Sequence, residues 1–130
     1  MNLALEFHDS EVSASVLDGT SLRIAFAVAL VHVSEMRPGI DSGNVYVQSA
    51  EVLIGDARLK ASLGSCLGKV SDGYMDVEAK RFLMLPLPFE KSGAVHFKLI
   101  FANGEELEVV GTSIQVTRHG EPRFLEHFSC

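Results

Sequence analysis

Apolar and polar positions alternate with a period of two along most of this chain, between clusters of turn residues, the pattern of half-buried strands. Leu3, Leu5 and Phe7 alternate with Ala4 and Glu6 and predict a first strand. His8-Asp9-Ser10 interrupts it, and Val12, Ala14 and Val16 resume it. Asp18-Gly19 signals a hairpin, because glycine accepts the positive φ of a tight turn. Leu22–Ser34 is the most informative segment. Leu22, Ile24, Phe26, Val28, Leu30 and His32 fall on one face. Arg23, Ala25, Ala27, Ala29, Val31 and Val33 fall on the other. The first face is bulky and predicts the main core. The second is small and apolar, and a packed element or a second copy could approach it closely.

Further strands are predicted over Val45–Ile54 and Arg58–Leu63, with loops at Glu35–Asn44 and Gly64–Gly73. Met75–Leu85 fits two patterns. Met75, Ala79, Phe82 and Leu83 have helical spacing, whereas the prolines that follow and the surrounding strands favour a hairpin leading into Leu83–Leu87. The clearest hairpin joins Val95–Ala102 to Glu105–Val110 through Asn103-Gly104, a pair suited to a type I′ turn. Gly111 marks a bulge or bend, and Phe124–Phe128 suits a short strand or one helical turn. Regular crossover helices are missing, so a parallel sheet is excluded. The fold class read from the pattern is all-β and mainly antiparallel, a β-sandwich or flattened β-barrel with at most one or two short helices.

Composition narrows the function classes. At 130 residues the chain is the size of one domain, 1–130. An apolar fraction of 47%, with eight Phe and no Trp, supports a packed core. The formal net charge of -6 repels phosphate backbones, and no Lys/Arg cluster offsets it locally, so nucleic-acid binding is disfavoured. No apolar run is long enough for a membrane-spanning helix, and the first residues carry no basic-then-apolar leader pattern. A cytoplasmic location is therefore expected. The two cysteines, Cys66 and Cys130, make no disulfide framework and are expected as free thiols, Cys130 exposed.

Candidate chemistry is sparse. His8, Asp9 and Ser10 are triad residue types, but triad members must converge in space, and neighbours along a strand point to opposite faces. A turn in which Asp9 or Ser10 bonds the backbone is the favoured reading. None of the five histidines has a partner at the spacing of strand or helix metal ligands. A site assembled from distant strands would draw on His8, His32 and Asp41, the last in a Pro/Gly/Ser-rich loop of the kind that carries binding function. No cofactor motif occurs, and the expected cofactor set is none.

Phe7-His8-Asp9-Ser10-Glu11-Val12 resembles the opening of small bacterial all-β domains, some of them grouped with toxin-immunity proteins. Phe97–Gly104, Leu107-Glu108-Val109 and Gly111 resemble their ending in general form. The resemblance spans about a quarter of the chain by these motifs. It implies a bacterial source and a non-enzymatic interaction module, and it transfers no catalytic residue. Two functions follow. The first is a module acting through its surface, as a homodimer or on a protein partner, with Ala25, Ala27, Ala29, Val31 and Val33 as interface candidates. An acidic surface would suit a basic partner. The second is a small-ligand barrel or cryptic enzyme with a pocket around His8, His32 and Asp41, Asp9 being a further ligand-binding candidate.

Overall fold

A computed structural model describes residues 1–60 and 63–129. The Ala61–Ser62 portion of the strand expected over Arg58–Leu63, and the exposed thiol expected at Cys130, lie outside the described residues. Strands make up most of the described residues, and no helix occurs among them. The strands are β1 (Asn2–Asp18), β2 (Ser21–Ser34), β3 (Gly43–Gly55), β4 (Arg58–Leu59), β5 (Gly68–Val77), β6 (Lys80–Phe82), β7 (Met84–Leu87), β8 (Phe89–Phe101) and β9 (Glu106–Phe128). All pair antiparallel in one sheet, in the order β6-β5-β8-β9-β3-β2-β1-β7, with β4 against β9. Glu11 and Val12 of β1 also pair with Lys69 and Gly68 of β5, which closes a ring of six strands, β1-β2-β3-β9-β8-β5. The all-β antiparallel class predicted from alternation is the observed one.

The ring is filled by the inward face of each strand. Phe7, Ile24, Phe26, Val52, Phe97, Leu99 and Phe101 are at most 1% exposed. Phe7 and Phe97 meet across the interior with ring centroids 5.3 Å apart. Cys66 is a buried free thiol at this core, and burial pushes its pKa up, with Glu105 adding to the shift.

Met75–Val77 pairs with Lys80–Phe82 in a hairpin whose corner residues, Glu78 and Ala79, both have positive φ. The prolines and the surrounding strands outweigh the helical spacing. The Asn103-Gly104 hairpin forms with Phe97 opposite Val109 and Leu99 opposite Leu107. Its turn differs from type I′. The Gly104 N–H donates to the Phe101 carbonyl, the Phe101 N–H donates to the Glu105 carbonyl, and Gly104 alone has positive φ (89°). This is the three-residue loop in which a type I turn ends in a left-handed glycine. Gly111 pairs with Val95 at the edge of a register shift, where Ser92–Val95 of β8 faces Gly111–Ser113 of β9, and a Cβ there would meet the Ile54 side chain at 2.5 Å and the Gly55 carbonyl at 2.6 Å. The glycine permits close approach of two strands. The loop expected to reach Gly73 ends earlier, since Gly68 already begins β5.

Long strands need bends. A straight run of the 23 residues of β9 would span about 75 Å, several times the ~14 Å radius of gyration of a domain this size. Register shifts supply the bends, at Glu6/Glu11 in β1, Phe26/Ala29 in β2 and Val47/Ser49 between β3 and β9. They also switch faces. Before the β2 bulge Leu22, Ile24 and Phe26 point inward; after it Ala29 and Val31 do. Val28 and Leu30, expected in the core with Phe26, are only half-buried.

Candidate binding surfaces

The bulge in β1 explains the Phe7–Val12 motif. Asp9 adopts φ 69°, a left-handed conformation that Asp tolerates better than most residues. The chain is thereby displaced between Glu6 and Glu11 and loses direct pairing with β2. Ser10, fully buried, fills the gap. Its hydroxyl donates to the Glu6 carbonyl at 2.5 Å and accepts the Leu30 N–H at 3.0 Å. The expected turn is a bulge within one continuous strand, and local backbone bonding by Ser10 is its chemistry. His8 and Asp9 are exposed, with Nδ1 and Oδ2 3.3 Å apart.

His32 is 5% exposed and lies on the opposite face of the sheet from Val31. Its Nε2 is 3.0 Å from Glu6 Oε1, and the Phe128 ring stands edge-on at 5.1 Å. The Ser34 hydroxyl closes the adjoining loop by donating to the Ser42 carbonyl and accepting the Met36 N–H. Asp41 belongs to that loop, where Oδ2 accepts from the Arg37 backbone N–H and from Nε at 3.0 and 2.9 Å. The side-chain hydrogen bond from Arg37 holds the Asp41 carboxyl below its ordinary pKa. Among the described residues no hydrogen bond or ion pair joins His8, His32 and Asp41, and no group of three or more His, Cys, Asp or Glu is placed to hold a metal ion.

The small-residue stripe does not survive as one face. Ala25 is half-buried and Ala27 exposed on the outside, whereas Ala29 and Val31 are buried inside, with half-buried Val33 following on the inner side. The β2 bulge divides it.

Three features escaped the alternation pattern. The first is a charged array on the outer face of β5, β8 and β9. His96 Nε2 lies 2.6 Å from Glu108 Oε2, and its Nδ1 lies 3.7 Å from Asp76 Oδ2. Arg81 makes a bidentate contact to Asp76 at 2.8 and 2.9 Å and stacks 3.9 Å above the Tyr74 ring. The Arg81 hydrogen bond lowers the Asp76 pKa, and the His96 hydrogen bond lowers that of Glu108. Cross-strand opposition of Asp76 to His96 and of Lys98 to Glu108 sets the array, so only the register could have shown it.

The second is a free edge. β8 pairs with β9 only as far as Val116, so Thr117–Phe128 has β3 as its sole strand neighbour among the described residues. Phe124 and Leu125 on this stretch are 60% and 49% exposed.

The third is a pocket of about 260 Å³ at the end of the ring where β9 leaves β8, walled by Leu3, Val31, Val33 and Tyr46 and rimmed by Arg118 and Pro122. Gln48 also lines it and is 9% exposed. Its Nε2 donates to the Gly120 carbonyl at 2.7 Å, which orients the amide and leaves Oε1 buried without a partner. A separate groove of about 680 Å³ runs between the Met36–Ile40 loop and β7, with Met36, Ile40 and Leu83 exposed along it. No helix of the described residues is long and apolar enough to cross a membrane.

The chain matches no family model, no curated protein and no solved structure.

Proposed function

We propose that this protein is a non-enzymatic interaction module that acts through its surface, and that the free edge of β9 pairs with a second copy of the chain. The observation that carries this reading is the Thr117–Phe128 stretch, bonded on one side only and displaying exposed Phe124 and Leu125. Unpaired N–H and C=O groups along a strand edge are a template for another strand. Apolar side chains beside them add burial to any pairing. Charge argues for self-pairing. The edge holds Arg118 and Arg123 against Glu121 and Glu126, whereas the whole chain carries -6. Two copies therefore meet at their locally neutral segment, and antiparallel pairing about a two-fold axis closes the assembly. A surface role is further favoured over catalysis because His8, His32 and Asp41 are each held by a separate local partner.

The test is solution mass by light scattering over a range of concentrations, for wild type and a Phe124→Asp/Leu125→Asp variant. The expected wild-type mass at high concentration is twice the 14.1 kDa chain, and the variant is a folded monomer. A wild type that stays monomeric overturns the second copy and points to an extended strand of another protein as occupant. A dimer that persists in the variant also overturns it, because the interface then lies elsewhere.

A further inference from the structure

Residues 63–67 lead into β5 as a strap, and Cys66 points from it into the core, 2% exposed. The strap bonds to itself through Cys66 N–H to the Leu63 carbonyl and Leu67 N–H to the Ser65 carbonyl. Leu63 adds an apolar contact with the core. Among the described residues, two hydrogen bonds tie the strap to the remainder of the fold. The Cys66 thiol, a weak donor, lies 3.5 Å from the Glu106 carbonyl. The Asn103 Nδ2 donates to the Ser65 carbonyl at 2.8 Å. Toward β1 the strap borders a cavity of about 250 Å³ lined also by Ser13, Ala14 and Ser15, which leaves it without close packing there. The stronger of the two polar ties therefore comes from the β8–β9 turn.

That turn holds a reactive pair. Asn103 and Gly104 are exposed, and a Cβ at Gly104 would meet nothing within 4 Å, so the Gly104 nitrogen is sterically open to the Asn103 side chain. In deamidation this nitrogen attacks Asn103 Cγ and gives up its proton, and the side-chain amide leaves as ammonia. Water then opens the cyclic imide to aspartate or isoaspartate. The folded turn slows the attack, because the Gly104 N–H is held by the Phe101 carbonyl and Asn103 Oδ1 by the Glu105 N–H, both at 2.9 Å. The reaction proceeds from turns that have opened locally. Its product cannot make the tie to Ser65. A carboxylate only accepts, so an oxygen would face the Ser65 carbonyl where Nδ2 donated, beside Glu105 and Glu106.

We propose that Asn103 is a slow deamidation site whose intact amide latches the strap, and that its conversion releases the strap and opens Cys66 to solvent. The thiolate is the reactive form of cysteine, and burial holds the Cys66 pKa up, so release raises both access and reactivity. No residue of the Thr117–Phe128 edge takes part, and this inference and self-association can fail separately.

The experiment uses the full chain with Cys130→Ser, which leaves Cys66 as the sole thiol, and follows alkylation by iodoacetamide under native conditions by mass spectrometry. Asn103→Asp should react about tenfold faster than this parent, the scale of one lost hydrogen bond. Asn103→Ala, which loses the donor without gaining charge, should fall between. Each rate should stay flat through low urea concentrations, the mark of local opening. A rate that climbs from the first addition of urea reports global unfolding and would overturn the latch, as would equal rates for Asn103→Asp and the parent. Parent protein aged at mildly alkaline pH should separate by ion exchange into unconverted and more acidic chains. Conversion should map to Asn103, with fast alkylation confined to the acidic fraction. Asn103 left intact over a period in which the urea-unfolded chain converts would overturn the modification site.

Discussion

The Ser10 hydroxyl accepts the Leu30 N–H at 3.0 Å where β1 and β2 would otherwise exchange a backbone hydrogen bond. A side chain thus substitutes for the strand that the bulge has moved away. With its second bond to the Glu6 carbonyl, the hydroxyl satisfies two backbone groups at once.

Replacing Ser10 with Ala leaves the Leu30 amide and the Glu6 carbonyl without that partner in a site closed to solvent. The expected loss is about 1–3 kcal/mol, measured by chemical denaturation. Amide exchange at Leu30 should quicken in parallel. A loss below about 0.5 kcal/mol, the scale of ordinary surface substitutions, would show that the bulge does not depend on the hydroxyl.

Phe97 is fully buried and touches Phe7 across the ring. Phe97→Ala should cost about 3–5 kcal/mol. Leu30→Ala should cost clearly less, because Leu30 is half-buried on the far side of the β2 bulge. Equal losses in urea titrations would place Leu30 in the same core and contradict the face switch.

Gly104 holds φ 89° at the end of the β8–β9 loop, and a Cβ there would meet nothing within 4 Å. The cost of Gly104→Val is therefore backbone strain rather than crowding. It should reach about 1 kcal/mol or more, since a β-branched residue resists positive φ. Gly104→Asn should cost less, because Asn tolerates the left-handed region. Thermal melts of the two variants give the comparison.

Asp76 and Glu108 have depressed pKa values in the folded state, through Arg81 and His96 hydrogen bonds respectively. Depressed carboxylates stabilise the fold above their ordinary values, 3.8 for Asp and 4.5 for Glu. That stabilisation is lost as pH falls through the folded values. The urea midpoint should accordingly decline as pH drops below 4.5. In His96→Gln the Glu108 part of that decline should shrink. An identical pH profile for variant and wild type would show that His96 does not couple to Glu108.

Alternation alone specified the all-β antiparallel class, the two hairpins at Asp18-Gly19 and Asn103-Gly104, and most of the inward set on β8. These follow from a period of two and from turn residues, which act over a few neighbouring positions. Parity along a strand is legible only until a bulge. The strand containing Phe26 shows none in its sequence, because the extra residue at Ala27-Val28 is dictated by the bend of a closed ring and by pairing with β3. Beyond it the faces of Val28, Leu30 and the alanine stripe invert. The Asp76–His96–Glu108 array, the burial of Gln48 and the free edge of β9 depend on which strands become neighbours and where pairing stops. Those facts join residues far apart in sequence, and no local periodicity encodes them, so only the tertiary structure decided them.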